Sequence, residues 1–559
     1  MLPAVLVALA GFAAVTVSWG LPDGASALST AHWAIDTIGP IGPLVEAYHR
    51  FTRAGTEDAI YPLFHYIVLA TAYGPYVLIA LLTGGLTDPS GEFPYGAAEP
   101  AKFFQTLAVI GDLVSIAMAI GIVLIVFDLT RRLFDERAAR WAAAFTALLA
   151  PLTYYAGTTN LDVPYLFWAM LAVRQLLLGA ADGRLRHFIG CGAAAGLALA
   201  TKDQAIGFFV LWPLLIPLLV AKFRDNVQPG DAWRVLIDPR VLAAVIAVIL
   251  AYAVGNNLLF GGWHGFVRHL QFYDAFYDAR PALDARPLLV RQLDLLAQAS
   301  LRILQMMGPL TPALGIAGLW RAWRAHHWLS LLLPLFALSY YATIIMPTTA
   351  FSRYLLGMAL MLMPFAGHAV ATGFASRSSA VLWTTRALAF SAVLLQTAMC
   401  LHLAQTLRND SRYEMERWVR ANVPERAVIE SQTQPRYLPR LSDRYQYVTV
   451  ANSFDAMSYD LLAGELTAAA LHERSPDYVL ILQSSGLSGD PERSNDPRLN
   501  DYFHGLMAGR MGYTVVARFK TPSYLPFRQI TAGTQPTTIL LRRNSRPRTT
   551  AALAGPSPP

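Results

Sequence analysis

Charge is scarce in this chain. Only 14% of its 559 residues are Asp, Glu, Lys or Arg, and 55% are hydrophobic, whereas soluble domains carry roughly 25% charged residues. The mean hydropathy is +0.39. A wholly soluble protein is excluded. Cysteine is scarcer still: Cys191 and Cys400 are the only two. The topology below sets them near opposite membrane faces, so they should not pair, and a disulfide framework is excluded. No Cys/His cluster has zinc spacing, and His326-His327 lies in a short basic loop read as solvated. The first apolar run, MLPAVLVALAGFAAVTVSWG, lacks a basic region before it. It is read as an uncleaved span rather than a signal peptide, although Ala25 to Ala27 would serve as a cleavage site. There is no solenoid-type repeat, and the region from about Asn409 to 545 holds no Gly-rich phosphate loop and no nucleophile elbow.

What is present is a series of apolar runs of about 20 residues, each the length of a membrane span. Spans are expected at 3–20, 103–128, 141–156, 163–179, 188–200, 205–221, 241–260, 301–320, 328–346, 353–373 and 387–405. The fold class is therefore an α-helical polytopic membrane protein of about 11 to 13 spans, followed by a soluble α/β domain. The net charge of +7 does not point to nucleic acid, because Arg and Lys concentrate in short loops. Loops 129–140, 180–187, 222–240, 321–327 and 374–386 are much richer in them than the loops between. The positive-inside rule then makes those loops and the N-terminus cytoplasmic. A bacterial-type inner membrane is the expected location.

Residues 60–83 break that count. They are long enough to span, yet the next loop, 84–102, holds Asp88, Glu92 and Glu99 against Lys102 alone, and Gly74-Pro75 interrupts the run. A re-entrant or interfacial helix pair under a long outer loop, 21–102, is favoured over a true span. A second outer loop, 261–300, mixes aromatics with His264, Arg268, His269, Asp274, Asp278 and Arg280. Surface amphipathic helices or a substrate groove would explain it. The domain boundaries are 1–405 for the membrane part, 409–545 for an extracytoplasmic α/β domain and 546–559 for a disordered tail. In the α/β domain, RYEMERWVRANVPERAVIES reads as a helix then a strand. SPDYVLILQSS, GYTVVARFKT and TTILLRR read as further strands.

The stretch YYAGTTNLDVPYLFW, Tyr154 to Trp168, is a short outer turn between spans. It puts Asp162 at the mouth of a span, where charge is expensive and usually functional. The plainer account is that Asp162 caps the next helix. Asn160 precedes it, Pro164 is placed to open a helix, and Tyr165 and Trp168 read as interfacial aromatics.

This layout resembles the polytopic glycosyltransferases of the C superfamily, of the family 39 type, which include protein O-mannosyltransferase-like enzymes and lipid A aminoarabinose transferases. HWAIDTIGP looks like the family's acidic motif, with Asp36 in the aspartate place and Thr37 where Glu is usual. YPLFHY, Tyr61 to Tyr66, is similar to a Tyr-Pro-Pro-Leu stretch and supplies Tyr61 and His65 as substrate-binding candidates. NLDVPYLFW, with Asn160, Asp162 and Tyr165, matches the position of a second acid. GLALATKDQ resembles a Gly-Leu…Thr-Lys segment and places Lys202 at the outer surface. SRYLLGMALMLMPFAG is like a late Arg-Tyr span and contributes Arg353.

The resemblance implies sugar transfer from a polyprenyl-phosphate donor to a lipid, glycan or protein hydroxyl on the outer face, with inversion. Breaking the anomeric C–O bond leaves charge on the phosphate, which cations stabilise; Lys202 and Arg353 are the candidates. The alternative for each is snorkelling at a helix end, and Asp203 offers Lys202 a plain surface ion pair. The acceptor hydroxyl needs a carboxylate base. Asp36 is preferred, Asp162 is expected to orient acceptor or base, and Asp23 is the rival base or a turn residue. Membrane lipids are the other partners. No cofactor is expected, although two aspartates facing one cavity could hold a divalent metal weakly. A flippase of lipid-linked glycans would instead need inverted repeats and mid-membrane charge. A membrane scaffold would leave Asp36, Asp162 and Lys202 unexplained.

Overall fold

The computed structural model describes residues 1–46, 62–214, 217, 233–260, 263, 266–271, 287–347, 351–433, 435–441, 443–450, 465–483, 497–525 and 534–544. They form two units: Met1–Asn409 with Pro522–Thr534, and Asp410–Thr521 with Gln535–Pro559.

The first unit is helical. Its main helices are α1 (Leu2–Val17), α2 (Phe64–Thr83), α3 (Pro100–Leu133), α4 (Glu136–Ala147), α5 (Ala150–Ala156), α6 (Asp162–Asp182), α7 (Leu185–Leu199), α8 (Pro239–Gly255), α9 (Leu288–Met307), α10 (Leu310–Arg324), α11 (Trp328–Tyr340), α12 (Ser352–Phe374) and α13 (Ser379–Arg408). By length and composition α2, α3, α6, α12 and the helix that begins at Ser379 can cross a membrane. This is a multi-pass membrane protein.

Local chemistry sets the helix ends. Pro100 stands in the first turn of α3, where its missing N–H is no loss. Arg131 and Arg132 stand in the last turn, against the negative end of the helix dipole, each paired with Asp128 at 3.0 and 2.8 Å. The Asp135 side chain accepts from the Ala138 amide at 2.7 Å and so caps α4. Helices α7 and α8 approach closely because Gly192 and Gly196 recur every fourth residue. A Cβ on either would stand 2.0 or 2.5 Å from the carbonyl oxygens of Ala244 or Val248. That is a small-xxx-small contact.

Four expected elements differ. The described part of 60–83 is not a pair of helices broken at Gly74-Pro75: α2 runs unbroken through Pro75, and Phe64–Thr83 is long and apolar enough to span. A membrane helix tolerates a lost amide donor when neighbours re-satisfy the freed carbonyl. The expected span 301–320 is broken instead. Helices α9 and α10 meet at 111°, with Gly308 at φ 69° and Pro309 directly after it. Residues 141–156 are two helices parted at Leu148-Leu149, Pro151 lying in the first turn of α5. Of 205–221, a short helix covers Ile206–Phe209, and much of the remainder lies outside the described residues. The loop 261–300 is described in part. Its end is the amphipathic helix α9, which exposes Leu288, Leu289, Val290 and Leu293; His264, Asp274, Asp278 and Arg280 lie outside the described residues.

The second unit is an α/β domain. Its strands are β1 (Val428–Ser431), β2 (Gln446–Thr449), β3 (Tyr478–Gln483), β4 (Tyr513–Lys520) and β5 (Thr537–Arg543), in the order β2-β1-β3-β5-β4. Strand β1 pairs in parallel with β2 and β3, while β5 pairs antiparallel with β3 and β4. Alternation sends Tyr478 and Leu480 to a face covered by Met415 and Val419 of α14 (Ser411–Asn422). Val479 and Ile481 meet the opposite layer, Leu471 of α15 (Ala468–Arg474) and Phe503 and Leu506 of α16 (Pro497–Met507). Burial on both faces explains why β3 reads as an unbroken apolar run. The expected strands are all present. Strand β2, a short edge strand, was not expected.

Candidate active site

The site is built on the turn that ends at α6. Asn160 organises it. Its Oδ1 accepts from the Asp162 amide at 2.7 Å, the turn that Asn side chains favour. Its Nδ2 donates to the Ile35 carbonyl at 3.0 Å. Beside it the Thr159 hydroxyl donates to the Ile38 carbonyl at 2.8 Å, and Thr37 pairs with Asn160 as an isolated antiparallel bridge. The loop carrying Asp36 is thereby stitched to the turn carrying Asp162. Asn160 is itself buried and holds backbone.

Asp162 does not cap α6. The N-cap is Leu161, which makes no side-chain cap bond. The Asp162 carboxylate instead lies 2.6 Å from Lys202 Nζ, with side-chain exposures of 0% and 7%. Two expectations for Lys202 are thus corrected. It is buried rather than standing at the surface, and its partner is Asp162 rather than Asp203. The neighbouring Asp203 pairs with His269 at 3.0 Å. Lys202 Nζ also lies 5.4 Å from the Tyr165 ring centre and 5.9 Å from that of Tyr354, within cation–π range.

Arg353 opens α12 and pairs with the Asp36 carboxylate, with side-chain exposures of 20% and 30%. Its guanidinium stands 5.2 Å from the Tyr354 ring centre and 5.7 Å from that of Phe351. Asp36 has a positive φ of 56°, a conformation that Asp tolerates better than most residues. Two acid–cation pairs thus flank one tyrosine. The Asp162–Lys202 pair is sealed, and the Asp36–Arg353 pair is partly open.

The other expected residues divide. Tyr165 is not an interfacial anchor: it is fully buried, and its hydroxyl lies 3.3 Å from that of Tyr340. His65 is buried, and neither ring nitrogen has a partner among the described residues. It shares the inner face of α2 with Leu69 and Tyr73. Asp23 makes a local turn by accepting from the Ala25 amide at 3.1 Å and touches none of this cluster among the described residues. Tyr61 lies outside the described residues. Tyr354 and Tyr340 were not singled out in the sequence; Tyr354 had a signal in its place beside Arg353. Among the described residues no three His, Cys, Asp or Glu side chains group as a metal site. Asp36 and Asp162 each carry a basic partner.

The family model for dolichyl-phosphate-mannose-protein mannosyltransferases matches residues 102–231, a stretch that contains Asp162 and Lys202. The chain's likeness to that family therefore holds for this part. Among solved structures the chain is similar to ArnT from Cupriavidus metallidurans bound to undecaprenyl phosphate. The identity is 15% and the TM-score 0.48, over 99% of this chain and 98% of that one. It is also similar to the oligosaccharyltransferase AglB from Archaeoglobus fulgidus in complex with an inhibitory peptide and a dolichol-phosphate. There the identity is 13% and the TM-score 0.45, over 85% of this chain and 69% of that one. No curated protein sequence matches the chain.

Proposed function

We propose that this protein transfers a sugar from a polyprenyl-phosphate donor to a hydroxyl-bearing acceptor at the outer face of the membrane, with inversion. The observation that carries the proposal is the pairing of two carboxylates with two cations around Tyr354. The acceptor oxygen attacks the anomeric carbon. The bond from that carbon to the phosphate oxygen breaks, the phosphate leaves with the electron pair, and the acceptor proton passes to the Asp36 carboxylate. One displacement inverts the centre; a retaining route would need a nucleophilic carboxylate against the sugar. Arg353 turns from Asp36 to the phosphate when donor binds, which frees the base as it supplies the cation. Lys202 gives a second, fixed positive charge, held by Asp162. The role of Asp162 is thus to orient Lys202 rather than the acceptor. The family match over 102–231 supports a sugar carried on a polyprenyl phosphate. A flippase reading gains no specific support from these two pairs, which stand at helix ends.

The test uses purified full-length protein with polyprenyl-phosphate mannose and a panel of other polyprenyl-phosphate sugars. Formation of free polyprenyl phosphate together with glycosylated acceptor supports the reading. Donor that crosses a vesicle bilayer unchanged, without transfer, would replace it by the flippase.

A further inference from the structure

Four residues before Asp36 the first loop carries His32, and α3 carries Asp112 well inside its apolar run. The two side chains are 1% and 0% exposed, and His32 Nε2 lies 3.1 Å from Asp112 Oδ2. His32 Nδ1 lies 3.2 Å from the Trp19 carbonyl oxygen. A carbonyl only accepts, so Nδ1 holds a hydrogen and donates it there. Neutral imidazole then presents a bare lone pair at Nε2, which a carboxylate would repel. The approach is favourable when one of the two groups carries the proton, whether written as imidazolium and carboxylate or as imidazole and carboxylic acid. Neither partner can be replaced by an apolar group without losing the contact.

The surroundings give the pair a place in the site. Gly111, next to Asp112, lets the chain close in: a Cβ there would stand 2.5 Å from Thr159 Cγ2 and 2.6 Å from the Tyr73 hydroxyl. Thr159 is the residue whose hydroxyl holds the Ile38 carbonyl. The segment 32–38 is thus anchored at both ends. His32 is held on α3, while Ile35 and Ile38 are held on the 159–160 turn. Between the anchors lies Asp36 at its positive φ, a conformation that persists only when its surroundings over-determine it.

We propose that His32 and Asp112 form a buried latch that holds the loop bearing Asp36 on α3, in the geometry its pairing with Arg353 requires. They are positioning residues and touch no substrate. The proposal rests on the reading of Asp36 as the base.

The test compares Asp112→Leu, His32→Leu, their double variant and Asp112→Asn in full-length protein, with Asp36→Asn as a reference. In Asp112→Leu and His32→Leu, kcat should fall about 10- to 100-fold, as misplacement of a reacting group by about 1 Å does, while donor KM stays within about twofold. The double variant should be no worse than either single one, because both break one contact. Asp112→Asn should recover most of the rate, since its amide N–H can bond the Nε2 lone pair of neutral His32. Hydrogen exchange of peptides covering 30–40 should speed up in both Leu variants and return in Asp112→Asn. Leu variants with normal rate and normal exchange would overturn the latch. So would rates that fall only as far as the melting temperature falls, with no recovery by Asn. If Asp36→Asn transfers normally, the base assignment fails and the exchange data alone judge the latch.

Discussion

The two acid–cation pairs around Tyr354 are alike in chemistry and unlike in setting. Asp162 and Lys202 are sealed, at 0% and 7% side-chain exposure, while Asp36 and Arg353 stand at 30% and 20%. A sealed pair gives up its hydration and must find its stabilisation in its partner, so losing one side strands the other. A partly open pair keeps water and can exchange partners at little loss. The first is suited to hold a fixed charge, and the second to take part in turnover.

The largest effect expected follows from the sealed pair. Lys202→Ala leaves Asp162 buried without its cation, and Asp162→Ala strands Lys202; each should lower stability by about 3–5 kcal/mol, read from thermal unfolding in detergent. The double variant Asp162→Asn/Lys202→Met should regain most of that stability and still transfer poorly. Regained transfer would reduce the pair to a structural prop. A Lys202→Ala rate alone cannot separate leaving-group stabilisation from folding, so the double variant is the sharper tool.

Next comes the open pair. Arg353→Lys keeps the charge and loses the planar fork. Donor KM should rise by roughly tenfold, the order of one charge-assisted contact, with stability changed by less than about 1 kcal/mol. A stability loss as large as that of Lys202→Ala would erase the contrast between the pairs.

The smallest effects belong to residues outside the cluster. Asp23→Asn should leave stability within about 0.5 kcal/mol and transfer unchanged within error, since among the described residues Asp23 accepts only from the Ala25 amide of its own turn. A topology measurement sharpens the frame. Both native cysteines are buried, so cysteines placed singly in 84–102 or 129–140 report on their own. An impermeant thiol reagent added outside should spare 129–140. At 84–102, protection would make α2 a true span, as its length and composition allow, and shift the inside count of everything before it, while labelling would mean that α2 does not cross.

The same contrast explains what the sequence made legible. Asp162 stood out because charge at a span's mouth is rare, and the strands of the α/β domain stood out because β3 is buried on both faces. The partner of Asp162 did not. It lies 40 residues away, and Asp203 beside Lys202 offered a nearer candidate. The Asp36–Arg353 pair spans 317 residues, a distance no local pattern reports; only resemblance named both. Of two Gly-Pro steps, Gly74-Pro75 was read as a break and Gly308-Pro309, inside the expected span 301–320, went unremarked. At Gly74-Pro75 the helix continues. At Gly308-Pro309 it turns, because Gly308 takes a positive φ that other residues resist. Asp112 was legible as a charge inside the apolar run 103–128 and passed unread. Strand β2 spans only four residues at a sheet edge, too few for alternation to declare itself.

The central claim is that the open pair carries the base. The direct measurement is the transfer rate of Asp36→Asn beside Asp23→Asn, each checked for intact folding by thermal unfolding. The account predicts that Asp36→Asn loses about a hundredfold or more in kcat at unchanged stability, with Asp23→Asn near the unmodified protein. A folded Asp36→Asn protein that transfers at the normal rate would contradict it.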